Sequence, residues 1–203
     1  MVGRKESRGG SRTQSKEAII ESYLEEGAKL RMATMALREE ILRASDTIAH
    51  SFRSGGKLLT FGNGGSAADA QHIAAEFSGR FRKDRPALPA IALTVNPSAL
   101  TAIANDYSYE EVFARQVLGL AREGDVVMGI STSGSSKNVL LGLDFARKAG
   151  ARTIGLCGSR GEMGRHADIL LAVSGETTSL IQEVHIAIGH LLALLVEEDL
   201  FGR

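Results

Sequence analysis

The sequence predicts an α/β fold: a three-layer α-β-α sandwich around a five-stranded parallel sheet, with N-terminal helices and a long buried C-terminal helix. Three observations carry that prediction. Short apolar runs alternate with stretches of helical period between residues 58 and 173. Two of those runs, Leu58-Leu59-Thr60-Phe61 and Val126-Val127-Met128-Gly129-Ile130, empty into Gly/Ser loops that open onto helices. With 203 residues, 43% of them hydrophobic, the chain can enclose one such sheet, whereas two domains would each be small.

The elements follow in order. Residues 1–16 hold five basic side chains against Glu6, with Gly, Ser and Thr between them. This composition predicts a disordered tail over 1–15, without the apolar stretch of a signal peptide, ahead of a single domain over 16–203. From Ser15 to about Ser54, residues such as Ile20, Leu24, Leu30, Ile41, Ile48 and Phe52 recur at helical spacing and predict two helices meeting near Gly27 to Met32. The strands are expected at Leu58 to Phe61, Pro89 to Thr94, Asp125 to Ile130, Arg152 to Leu156 and Asp168 to Val173. Runs this apolar suit a parallel sheet covered on both faces.

The last helix, roughly Thr177 to Leu200, is apolar nearly all round from Ile186 to Val196. Its apolar length falls short of the roughly 20 residues that span a bilayer, so it is expected to be buried on every side. One subunit of this size hides such a helix poorly, which predicts packing against copies of the chain. Lys plus Arg number 24 and Asp plus Glu number 24, so no global field draws the chain to nucleic acid or to an anionic membrane. The one cysteine, Cys157, has no partner for an internal disulfide and is expected to be a buried, inert thiol in a cytoplasmic protein.

The loops carry the chemistry. A strand that runs through small residues into a helix presents unpaired N–H groups and the positive end of a dipole to an anion. Gly62-x-Gly64-x-x-Ala67 matches the dinucleotide fingerprint in form, but the following strand ends Leu93-Thr94-Val95-Asn96 with no carboxylate for a ribose. No Lys follows the glycines as a triphosphate loop requires, so a monophosphate fits better, with Ser66 as N-cap and Asp69 at the third helical position. In the second loop Ser131, Thr132, Ser133, Ser135 and Ser136 crowd five hydroxyls around Gly134, more than a cap needs.

His72 and Glu76, four residues apart, share one helix face. Gln182, His185 and His190 interrupt the apolar last helix, where polar groups must find partners. Gln182 and His190 lie about 12 Å apart along that helix, which suggests a site combining helices from two subunits. Glu76 lies about 15 Å along its helix from Ser66, so the phosphate is expected on the second loop. Asn105, Asp106 and Arg80 are weaker signals when taken alone. A phosphate cradle beside an acid/base pair reads as an enzyme.

Together these residues resemble the sugar isomerase (SIS) domain family, and within it the phosphoheptose isomerases, from about Lys16 to Phe201. The carriers are Gly62-Asn63-Gly64-Gly65-Ser66, Gln71-His72-x-x-x-Glu76, Ala104-Asn105-Asp106-Tyr107, Ile130-Ser131-Thr132-Ser133-Gly134 and Ile181-Gln182-Glu183-Val184-His185 with His190. The resemblance implies a flavodoxin-like winding and interconversion of sedoheptulose 7-phosphate and D-glycero-D-manno-heptose 7-phosphate, toward the heptose of bacterial lipopolysaccharide. It further implies a cytoplasmic homotetramer with sites between subunits, and one zinc per subunit on His72, Glu76, Gln182 and His190.

Substrate contacts are expected from Asn63, Gly64, Gly65, Ser66, Glu76, Arg80, Asn105, Asp106, Ser131, Thr132, Ser133, Ser136 and Gln182. Glu76 is assigned as the carbon base and His190 as the carrier of the proton between oxygens. Leu180 stands where many relatives have Arg. Two alternatives accompany this assignment: a non-enzymatic regulator of the same fold that binds the replication initiator DnaA, and an isomerase for another phosphosugar.

Overall fold

A computed structural model describes residues 14–202, so the tail expected over 1–15 lies almost wholly outside the described residues. Five parallel strands form one sheet in the order β2-β1-β3-β4-β5: β1 Leu58–Gly62, β2 Ala90–Ala92, β3 Val126–Ser131, β4 Arg152–Gly158 and β5 Ile169–Val173. The winding reverses between β1 and β3. The first strand feeds α3 (Gly65–Ser78), and the third feeds α6 (Lys137–Lys148). Both Gly/Ser loops therefore open at the carboxyl ends of neighbouring strands at the switch point, where open α/β sheets bind ligands.

Alternation along the strands splits the core in two. Leu58, Met128, Ile130, Ile154 and Leu156 face one cluster, built with Ile48, Phe77 and Ile188. Leu59, Phe61 and Val127 face the other, with Phe113, Val117 and Leu143. The first face is covered by α2 (Arg38–Arg53), α3 and α7 (Thr178–Phe201), with α1 (Lys16–Ala33) laid on α7; the second face is covered by α5 (Ala114–Leu120) and α6. At the basal end, buried Asp125 accepts the N–H groups of Lys57 and Arg122 and pairs with the Lys57 ammonium, tying the start of β3 to that of β1. The helix α4 (Pro97–Asp106) starts where Asn96 accepts the Ala99 N–H at 3.0 Å and Pro97 fixes the first turn.

Five expectations need correction. The N-terminal helices do not meet at Gly27 to Met32: α1 runs unbroken through them, and the break is a 3₁₀ turn at Thr34–Leu37. Gly27 sits in the helix because a side chain there would press on Leu180, whose Cδ2 would lie 3.2 Å away. The second strand is three residues rather than six, being an edge strand that Asn96 and Pro97 soon turn into α4.

Ser66 is not the N-cap of α3: the helix begins one residue earlier, and the cap position is Gly64, whose φ of +53° suits glycine. Finally, α7 has 24 residues and is long and apolar enough to cross a membrane by length and composition alone. Half of its most apolar stretch is buried against the rest of the chain, and it carries the fully buried His185 and Glu197. Nor is it buried on every side, since Leu191 is 42% exposed.

Candidate active site

The crevice is walled by the two loops, and Asn63 ties them together. Its side-chain amide exchanges two hydrogen bonds with that of Asn138 on α6, at 2.8 and 2.9 Å, and its oxygen also accepts the Tyr109 hydroxyl at 3.1 Å. Neither Asn138 nor Tyr109 stood out in the sequence. Asn138 is 4% exposed, and only its packing shows that it ties the two Gly/Ser loops together.

In the second loop the Ser131 hydroxyl lies 2.9 Å from that of Ser136 and 3.2 Å from that of Ser133. Ser136 occupies the N-cap position of α6, yet no side chain caps that helix. Among the described residues no hydrogen bond engages the N–H groups of Lys137 and Asn138, and Gly134 turns the loop at φ +65°. The Thr132 carbonyl accepts the Gly158 N–H, and the Gly134 carbonyl accepts those of Glu162 and Met163, so the loop is anchored from beneath. Such an arrangement of hydroxyl and N–H donors can accept a phosphate.

The α3 helix begins without a side-chain cap as well. One turn on, Asp69 is 7% exposed and its Oδ2 has no hydrogen-bond partner among the described residues. Burial raises its carboxyl pKa, while a hydrogen bond from Gln182 and the proximity of His72 pull the other way. Sequence reading had given Asp69 only a capping role; its unpartnered oxygen becomes visible once α7 lies across α3. The Gln182 amide sits directly over Gly65, where an added Cβ would come within 2.3 Å of it.

Farther along the two helices three donor atoms converge. His72 Nε2 lies 3.0 Å from His190 Nε2 and 3.1 Å from Glu76 Oε1, and the three ligand atoms fall within 4.8 Å of one another. Zinc with tetrahedral N/O ligands at about 2.0–2.2 Å sets its ligands roughly 3.3 Å apart, so two imidazoles and a carboxylate at this spacing have the right chemistry and scale to hold it. Glu76 is largely shielded and His72 half exposed.

The structure thus brings His72, Glu76 and His190 together. Gln182 lies two helical turns from His190 and meets Gly65 and Asp69 within this chain. Asn105 and Asp106, hydrogen-bonded to each other at 2.9 Å, end α4 on the surface, and Arg80 is exposed just beyond α3. Leu180, where many relatives carry Arg, is buried in the core. His185 is fully buried with both ring nitrogens unpartnered; burial pushes its pKa down to about 4, against a weaker pull from the Cys157 backbone. Cys157 is buried in β4, and burial pushes its thiol up to about 11, so it stays a thiol rather than a nucleophile.

The overlap at Gly65 gives a direct prediction. Ala is a better helix former than Gly, so Gly65→Ala should leave the melting temperature nearly unchanged. It must also displace the Gln182 amide, and kcat/KM should fall by about 10²-fold, the cost of misplacing a substrate-positioning group by about 1 Å. Steady-state kinetics beside a thermal melt checks both halves, and an active Gly65→Ala would remove Gln182 from the site.

Comparison with known proteins bears on the family and the fold. Residues 22–158 match the family model for the SIS domain. A probable phosphoheptose isomerase from Thermoplasma acidophilum is 52% identical over 87% of this chain and 96% of its own length. The phosphoheptose isomerase of Solidesulfovibrio magneticus is 52% identical over 90% of each chain. Among solved structures, the phosphoheptose isomerase of Neisseria gonorrhoeae superposes with a TM-score of 0.86 at 37% identity, covering 91% of this chain and 100% of that one.

Proposed function

This chain belongs to the SIS domain family, and we propose that it is an aldose–ketose isomerase converting sedoheptulose 7-phosphate to D-glycero-D-manno-heptose 7-phosphate, a step in heptose precursor synthesis. The observation that carries the reading is the convergence of His72, Glu76 and His190 from two helices, in a fold whose hydroxyl-rich Ser131–Ser136 loop follows the strand next to the one that feeds α3. A non-enzymatic initiator-binding regulator has no use for a carboxylate and two imidazoles held at such distances.

The chemistry follows from the residues. The Ser131–Ser136 loop and the open start of α6 hold the 7-phosphate. Glu76 removes the proton from C1 of the ketose and returns one to C2, so the electrons pass through an enediol. His190 moves a proton between the two oxygens, and no proton is gained or lost over the cycle. Zinc held by His72, Glu76 and His190, with Gln182 of a second copy as a fourth ligand, would polarise the carbonyl and stabilise negative charge on the enediol oxygens.

We further read the working unit as a cytoplasmic homotetramer. On α1 and the turn after it, Ile20, Leu24, Met32 and Met35 are each more than half exposed. The last two line an apolar groove of about 550 Å³ with Leu191 and Leu195 of α7. Covering this face with a second copy would bury it.

Two measurements test this reading. NMR should show the purified protein converting sedoheptulose 7-phosphate to the aldose, with loss of turnover on chelation and recovery on adding zinc. Light scattering should give about four times the 21.6 kDa chain mass. A folded protein that turns over none of this ketose with zinc supplied would exclude the isomerase, and a monomer mass would exclude the shared site.

A further inference from the structure

The segment between α3 and β2 is fastened to α7 by a buried ion pair that takes no part in the chemistry above. Glu197 is fully buried and accepts the N–H groups of Phe81, Arg82 and Lys83 at 3.0, 2.9 and 3.2 Å, and Nε of Arg85 at 2.9 Å. The Arg85 side chain is 1% exposed. Its remaining nitrogens donate to the carbonyls of Glu76 and Phe77 at 2.8 Å each, Pro86 at 3.0 Å and Gly79 at 3.3 Å. One carboxylate therefore satisfies three consecutive loop N–H groups. One guanidinium closes the C-terminal turn of α3, including the carbonyl of Glu76 itself. Burial alone would raise the Glu197 carboxyl, but these donors together hold it below the usual glutamate value.

The loop so held carries Phe81, whose ring lies nearly parallel to the His190 imidazole, with centroids 5.6 Å apart and planes at 20°. His72 meets the same imidazole obliquely, at 5.2 Å and 67°. His190 is thus held between a flat aromatic surface and its partner histidine. A buried ion pair is weak evidence for stability, since desolvation offsets much of its attraction. What this one does supply is geometry, because the same two side chains fix both the end of the helix bearing Glu76 and the loop that faces His190.

We propose that Glu197 and Arg85 are positioning residues for the isomerase: by pinning the turn after α3 to α7 they hold Phe81 flat on His190 and so fix the plane of the imidazole that carries the proton between substrate oxygens. This rests on the role given to His190 above.

The test uses Phe81→Leu, Phe81→Tyr and Glu197→Gln singly, and Phe81→Leu with Glu197→Gln combined. Phe81→Leu keeps bulk but loses the flat face; kcat should fall about tenfold with KM changed less than twofold, and Phe81→Tyr should restore it. Glu197→Gln should speed hydrogen exchange at the amides of residues 81–83 and lower kcat similarly. Because both act through one ring, the combined variant should fall no further than the worse single one.

The His190 Cε1–H resonance, displaced by the Phe81 ring current, should shift in Phe81→Leu and in Glu197→Gln alike. Wild-type kcat in Phe81→Leu, multiplicative losses in the combined variant, or an unmoved resonance would overturn the proposal. Should Glu197→Gln fail to fold, the Phe81 pair and the resonance decide. If the wild type turned over no sedoheptulose 7-phosphate, the isomerase reading would fall, and an unmoved resonance would still count separately against the clamp.

Discussion

Glu76→Gln is expected to lower kcat by about 10²- to 10⁴-fold while leaving the fold intact, the range over which removal of a positioned general base is felt. Glutamine has the shape of glutamate and can still meet the His72 imidazole 3.1 Å away. Its backbone carbonyl still accepts from Arg85. What it cannot do is take a proton from carbon. Removing His72 would take away a ligand of the proposed zinc and misplace the carboxylate, and removing Gln182 would misplace the substrate, so KM should rise along with the fall in kcat. Steady-state kinetics with circular dichroism separates the outcomes, and near wild-type turnover in Glu76→Gln would withdraw its role as base.

The second large effect is on stability in acid. His185 has its pKa pushed down to about 4 from 6.5 by burial on α7. A group whose pKa is depressed on folding contributes stability above its unfolded value and loses it as pH falls through the folded one. The window is therefore pH 6.5 to 4. The shift of about 2.5 units corresponds to roughly 3 kcal/mol. Glu197, also depressed, adds a loss of the same sign as pH falls below the ordinary glutamate value of 4.5.

Asp69, raised by burial, works the other way: its contribution is present below 3.8 and fades as pH rises. Urea unfolding at pH 7, 5.5 and 4.5 and fixed protein concentration should show the fall, and His185→Leu should flatten it between pH 6.5 and 4. An equal slope in His185→Leu would assign the acid sensitivity elsewhere.

The α/β order was legible because it rests on strictly local signals. Each of the five strands is a short apolar run, and each loop announces itself by a change to small residues. The positions of the Gly/Ser loops then followed from winding alone. The helix break near residue 34 was not legible, since Gly27 reads as a breaker and only the packing of Leu180 explains its place inside α1.

Of the site, spacing on one helix put His72 and Glu76 on a common face, and unexpected polarity in an apolar helix singled out Gln182, His185 and His190. These three turned out to differ: His190 meets His72, Gln182 lies over Gly65, and His185 is buried without a partner. Asn138, Tyr109 and the Arg85–Glu197 pair were missed because their partners lie 46 to 112 residues away, beyond the reach of any periodicity. Asp69 was seen only as a local capping residue, since nothing in its neighbourhood along the chain reveals that α7 covers it.

The measurement that tests the central claim most directly is NMR of the heptose phosphate formed from sedoheptulose 7-phosphate in D₂O. Proton abstraction by Glu76 through an enediol predicts deuterium at C2 of the aldose made by the wild-type protein, and product and exchange at C1 of the ketose both slowed by about 10²- to 10⁴-fold with Glu76→Gln. An aldose that carries at C2 the very hydrogen removed from C1, without deuterium, and is formed equally well by Glu76→Gln, would show a direct hydride shift and contradict the account.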